Sequence, residues 1–153
     1  ISPVSQALFP HLGHSFVGRT LRENVSTLVK VLKYMLPFLA LVTLMVVLCS
    51  DWLVRLLCGP EFVEAETLLV VMSPVLFLGS LNYLLGIVGM VNLNMEKAFF
   101  YSVLLVGVGN VAWMVLTAPA MGVLAGAWGM SLSELLLLLL CCFFIYRKRK
   151  ASL

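Results

Sequence analysis

Residues 123–150 read VLAGAWGMSLSELLLLLLCCFFIYRKRK. Between Val123 and Tyr146 the one charged residue is Glu134, and the run then stops at Arg147, Lys148, Arg149 and Lys150. A helix needs about 20 largely apolar residues to cross the hydrocarbon of a bilayer. This stretch has that length, an aromatic boundary at Tyr146 and a basic stop, so it predicts a membrane-spanning helix over 123–146.

Working back along the chain, the same reading predicts spans over about 34–50, 67–91 and 98–117. Trp52 to Leu57 could continue the first of them along the membrane surface. Turn signals separate the spans: Gly59-Pro60, the polar run Asn92 to Lys97, and Ala118-Pro119 through Gly122. Pro60 with Glu61, Glu64 and Glu66 suits a helix N-terminus, where proline is tolerated and acids meet the positive end of the dipole. Short loops make neighbouring spans antiparallel. Composition agrees: 62% of the 153 residues are hydrophobic and 11% charged, and mean hydropathy is +1.09. A soluble domain carries about 25% charged residues, so too little polar surface is present to cover a water-soluble globule. The chain is expected to be an all-α integral membrane protein.

Charge sets the expected direction. Arg19, Arg22, Lys30, Lys33, Lys97 and Arg147 to Lys150 fall on one side of this path, and Arg55 falls on the other with Asp51, Glu61, Glu64 and Glu66. Basic residues mark the cytoplasmic side, which places the C-terminus there, with 147–153 as a basic tail. Within 15–33, Val17, Leu21, Val25, Leu28 and Leu32 recur at helical spacing among charged residues, predicting an amphipathic helix on the inner leaflet. The chain opens on an apolar stretch, 1–14, expected to be the end of a longer chain's spanning helix.

Polarity that survives in the hydrocarbon carries the candidate sites. Glu134 at mid-span costs on the order of 2.5–3.5 kcal/mol on insertion scales. It must therefore face protein or water, find a partner, or take up a proton. A coupling or pathway carboxylate and a structural one bonded to a neighbouring helix are equally open from the sequence. Asn82 and Asn110 lie near mid-depth of their spans, with Ser80, Tyr83, Ser131 and Ser133 near in depth. Amides bond across helices, so each alone reads as glue between helices. Together Asn82, Tyr83, Asn110, Ser131 and Glu134 are expected to line one polar cavity. Gly122 and Gly126 form a GxxxG with Gly129 beyond, expected to let the fourth span approach another helix closely.

His11 and His14 are read as surface histidines rather than metal ligands. Cys49, Cys58, Cys141 and Cys142 have no metal-ligand spacing and are read as small hydrophobes, with a Cys49–Cys58 disulfide the lesser alternative. No nucleophile and base pair, phosphate loop or paired carboxylates occur in the spans. No enzyme activity, metal, cofactor or nucleic-acid partner is expected.

The punctuation resembles the C-terminal part of polysaccharide and O-antigen flippases of the multidrug/oligosaccharidyl-lipid/polysaccharide exporter superfamily. Ser5 to Pro10 is similar to the family's helix end before a cytoplasmic loop. Leu56-Leu57-Cys58-Gly59-Pro60-Glu61-Phe62 with Ala65 and Leu68 is similar to its LLxGxEFxxA stretch. Ser73-Pro74, Gly79, Asn82 and Gly86, then Gly107, Asn110, Pro119, Gly122, Gly126, Ala127 and Glu134, follow its later helices in order and spacing. The resemblance implies the C-terminal half-lobe of a two-lobe transporter of roughly twelve helices, working by alternating access. It implies a cargo of undecaprenyl-pyrophosphate-linked oligosaccharide, bound together with an N-terminal lobe. Membrane lipids and other polysaccharide-assembly proteins are the further implied partners, and the bacterial inner membrane the location. The chain departs from the family in having no Lys or Arg inside a span, so positive charge for the pyrophosphate must come from the other lobe. A cation-coupled multidrug antiporter of the same superfamily and a non-transporting membrane scaffold are the competing expectations.

Overall fold

A computed structural model describes residues 21–59 and 61–151. The described residues form helices and short turns, with no strand among them. Helix α1 spans Leu21–Leu48 and α2 spans Ser50–Leu57. Helix α3 spans Val63–Asn82 and continues without a break as a π-helix over Tyr83–Val91. Helix α4 spans Glu96–Met121 and α5 spans Val123–Ala151. Among the described residues, four stretches are long and apolar enough to cross a membrane: Val29–Leu48, Glu64–Val91, Glu96–Met121 and Val123–Lys150.

Two boundaries differ from the sequence reading. The expected surface helix of 15–33 does not stop before the first span, because α1 runs unbroken through Lys33 and Tyr34 for 28 residues. That is about 42 Å at 1.5 Å per residue, longer than the hydrocarbon of about 30 Å. The charged turns of 21–33 therefore join the first apolar stretch as one continuous helix. Second, α4 passes through Pro119 to end at Met121 rather than near 117. Gly122, at φ 56, makes the turn into α5, in a region of backbone space that favours glycine. Residues 1–14, with His11 and His14, lie outside the described residues, as do 15–20 and the end of the basic tail.

Helix α1 breaks at Cys49, and α2 follows as a short amphipathic helix with Ser50 and Val54 buried and Trp52 exposed. The four cysteines are free thiols, so Cys49 and Cys58 form no bridge. At the other end of the bundle Asn92 donates Nδ2–H to the Val88 carbonyl (2.7 Å) and Asn94 takes φ 54, turning the chain into α4. Lys30, Lys33, Lys97 and Arg147 to Lys150 collect at this basic end. Asp51, Glu61, Glu64 and Glu66 collect at the opposite, acidic end.

Packing is concentrated in the basic-end half. Leu84, Leu85, Val88 and Met90 of the π-helix form a buried cluster with Cys141 of α5, flanked by Met35, Phe99 and Leu138. Gly86 is part of the reason the helices can approach so closely. A Cβ there would lie 2.2 Å from the Phe99 ring. Along α3 the contrast is steep: no residue from Glu64 to Met72 is buried, whereas Ser80 to Met90 are nearly all buried. In lipid, where apolar burial drives little association, helices hold together through such close packing and through polar bonds between helices.

Helix α5 supplies those bonds on one face. Ser131, Glu134, Cys141 and Lys148 all meet α3, its π extension or the following turn. Their spacing repeats every seven residues from Glu134 on, the interval at which a helix returns the same face to a neighbour. Ser131 Oγ donates to the Val71 carbonyl (2.8 Å), and Lys148 Nζ donates to the Leu93 carbonyl. Helices α3 and α5 both run from the acidic to the basic end, so α4 is the return strut. Only Ser102 and Val106 of α4 are buried.

Candidate functional site

The carboxylate of Glu134 is held on the flank of α3. Asn82 Nδ2 donates to Glu134 Oε2 (2.6 Å) and to the Glu134 backbone carbonyl (2.7 Å). One turn earlier on α3, Gly79 borders the carboxylate. A Cβ at Gly79 would sit 3.6 Å from the carboxylate, in van der Waals contact. Gly79 and Asn82 are three residues apart, so they lie on one face of the helix, and the carboxylate lies along that face. Its partner is thus a neutral amide. Asn82 is 4% exposed, while Glu134 is half-buried. Asn82 is also the last residue before the backbone widens into the π-helix, a distortion often found at functional positions.

Asn82 Oδ1 is buried and has no hydrogen-bond partner. A buried acceptor left without a donor costs about 1–3 kcal/mol, so the site has unused capacity to accept a hydrogen bond. Together with the carboxylate, this gives two acceptors near mid-depth. Such a pair can receive hydroxyl or ammonium donors, or a proton.

Ser131 lies one turn before Glu134 and bonds the Val71 carbonyl. This bond falls beside Pro74. A proline in a helix interior removes the N–H that would serve the carbonyl four residues back, here Val70, and pushes the helix to kink. Ser73 Oγ donates to the Val70 carbonyl (2.8 Å), while Ser131 serves the next carbonyl from across the interface. Hydroxyls of this kind make proline tolerable inside a membrane helix.

The five expected pathway residues do not form one cavity. Asn82, Glu134 and Ser131 act along a single α3–α5 interface. Tyr83 follows Asn82, but its side chain packs against the apolar cluster of Leu84 and Val88. Asn110 belongs to a different place, a cleft of about 190 Å³ between α4 and α5 that it lines with Trp113, Gly129 and Ser133. Asn110 Oδ1 is likewise buried without a partner. The cause of the separation is angular: Asn110 meets the Gly129 face of α5, and Asn82 meets the Glu134 face.

The glycines divide similarly. Gly129 is the close-packing one, since a Cβ would lie 2.6 Å from Asn110 Oδ1 and 3.0 Å from Trp113 Cδ1. Gly126 meets Met114 at an ordinary 3.7 Å. Gly122, expected to pack between helices, serves the turn instead: a Cβ added there would meet nothing within 4 Å. Trp113, not singled out from the sequence, donates Nε1–H to the Ala125 carbonyl (3.2 Å) and ties α4 to the start of α5. Gly79 is a second residue that sequence reasoning does not pick out as part of the site. Its signal is its place one helical turn from a polar residue inside a span. No group of three potential metal-binding side chains converges among the described residues.

Comparison with protein-family models, with curated proteins and with solved structures finds no match to this chain.

Proposed function

We infer that this chain is a transmembrane module of a transporter that passes lipid-linked oligosaccharide units across a bacterial inner membrane. The observation that carries this reading is the Asn82–Glu134 pair near mid-depth, with Asn82 Oδ1 buried and uncommitted. Sugars are dense in hydroxyl donors, and a carboxylate beside an amide oxygen is a suitable pair of acceptors for them. An intramembrane carboxylate is by default a functional group. At 4% exposure Asn82 is reached by a ligand only when helices part, which fits alternating access. The sequence resemblance supplies the cargo class. It also assigns this module to the C-terminal half-lobe of a two-lobe transporter, and the excess of basic residues favours the cytoplasm for the basic end and the C-terminus. Basic groups for the pyrophosphate belong to the other lobe on this reading.

The same carboxylate favours a second reading, a cation-coupled antiporter in which Glu134 carries the coupling ion. Complementation separates the two. Full-length protein with Glu134→Gln or Asn82→Leu is expressed in cells lacking their own surface-polysaccharide flippase, and surface polysaccharide is measured beside efflux of small organic cations. Loss of polysaccharide with unchanged efflux supports the flippase. Loss of ion-driven efflux alone supports the antiporter, and full activity in both assays removes Glu134 from either mechanism.

A further inference from the structure

We propose that the acidic-end part of α3, residues 63–72, together with α2, is a movable arm. The arm hinges at Pro74 and gates a groove at the acidic end of the bundle. This motion is independent of the cargo.

Four observations converge on it. Burial changes abruptly along α3: the stretch from Glu64 to Met72 contains no buried residue, while Ser80 to Met90 form the packed base. Regions with few buried contacts open at lower free energy than the core around them. Second, Pro74 lies between the two stretches, six residues before the packed base begins at Ser80, and there the helix lacks one backbone hydrogen bond and is prone to bend. Third, the polar bonds from α5 straddle that point. Ser131 holds Val71 on the arm side, and Glu134 is held by Asn82 on the base side. The arm's bond is one hydroxyl to one carbonyl, whereas the base adds the close approach of Gly86 to Phe99 and the cluster around Val88. Fourth, α2 is tied to the arm through Ser50 Oγ, which donates to Glu66 Oε1 (3.3 Å).

Between arm and bundle lies a groove of about 380 Å³. Glu64, Thr67 and Leu68 of the arm form one wall, and Met121, Val123 and Leu124 at the α4–α5 turn form the other. A bend at Pro74 moves the first wall relative to the second and leaves the base in place. Ser131 is then a latch. It ties the Val71 carbonyl to α5 when the arm lies against that helix, and it releases the arm when this bond opens. Ser73, whose bond to Val70 is internal to α3, keeps the carbonyl that Pro74 leaves without its donor satisfied in either position.

Spin-label distances in full-length protein reconstituted in lipid nanodiscs test this. Native cysteines are replaced (Cys49, Cys58 and Cys142 by Ser, Cys141 by Ala). One label pair, Thr67→Cys with Val123→Cys, spans the groove. A reference pair, Val91→Cys with Tyr146→Cys, sits at the packed end. The groove pair is expected to give a broader distance distribution than the reference pair. Ser131→Ala should broaden it further and shift it to longer distances with the reference pair unmoved. Pro74→Ala, which restores the backbone donor, should narrow it to a single peak. A groove pair as narrow as the reference pair overturns the proposal. So does a Ser131→Ala variant in which the groove pair is unchanged, or in which both pairs shift together.

Discussion

The side-chain amide of Asn82 is bonded twice to Glu134, at the carboxylate (2.6 Å) and at the backbone carbonyl (2.7 Å). One side chain on α3 thus satisfies both the charge-bearing group and the main chain of a single residue on α5. Removing the amide strands the carboxylate beside Gly79 with no donor in its place. Asn82→Ala should lower stability by about 1–3 kcal/mol, measured by steric trapping in bicelles. Adding Glu134→Leu should recover part of that loss, because the group left unpaired is then gone.

Glu134→Gln should behave differently. Its carbonyl oxygen still accepts from Asn82 Nδ2, and its amide can donate to Asn82 Oδ1, the acceptor now without a partner. Stability should therefore change by less than about 1 kcal/mol while transport is lost. A variant that is both unstable and inactive would point to a structural carboxylate.

Gly86→Ala should be among the most damaging small substitutions in the chain, since the new methyl group meets Phe99 at 2.2 Å. Overpacking of this kind costs about 1–3 kcal/mol. Phe99→Leu should relieve it, and the double variant should unfold closer to wild type than Gly86→Ala alone. By contrast Gly107→Ala, with nothing within 4 Å, should be neutral or stabilising by up to about 1 kcal/mol through helix propensity.

Gly129→Ala and Gly126→Ala should separate in the same assay although both belong to the small-residue pattern. The first places a methyl 2.6 Å from Asn110 Oδ1 and the second 3.7 Å from Met114 Sδ. Destabilisation by the first and tolerance of the second is the expected result. Equal effects would mean that the Asn110–Gly129 contact is not maintained in the bilayer.

The cysteines report on direction. Cys49 and Cys58 are exposed at the acidic end, and Cys142 is exposed in the basic-end half of α5. A membrane-impermeant maleimide added to intact cells should label Cys49 and Cys58. Labelling of these two only after the membrane is permeabilised would invert the orientation read from the basic residues.

The spans are legible in the sequence because each pairs an apolar run of bilayer length with a turn signal, and Glu134 stands out because a charge in such a run is costly. The pairing of Glu134 with Asn82 is not legible. It depends on how α3 and α5 are rotated and offset relative to each other, and no local pattern encodes that. The same missing rotation makes Asn110 look like a neighbour of Asn82, although the two meet different faces of α5. Gly122 misleads because a four-residue glycine spacing looks alike whether its first member is inside a helix or ends the previous one. The charged residues of 21–33 fit a separate helix and a continuation of the first apolar helix equally well on periodicity, so only the unbroken backbone shows that the two are joined. The bond from Ser73 to Val70 can be suspected from Pro74, which frees that carbonyl, whereas the bond from Ser131 to Val71 depends on the packing of α5 against α3.

Each backbone ring of the π-helix over Tyr83–Val91 encloses one residue more than the corresponding ring of an α-helix, so the segment behaves as a stored insertion. Relatives of this chain that are one residue shorter should show their alignment gap inside 83–91, with the bilayer-facing pattern resuming in phase on both sides. A comparison of lengths across such sequences would then reveal the widened turn without any coordinates.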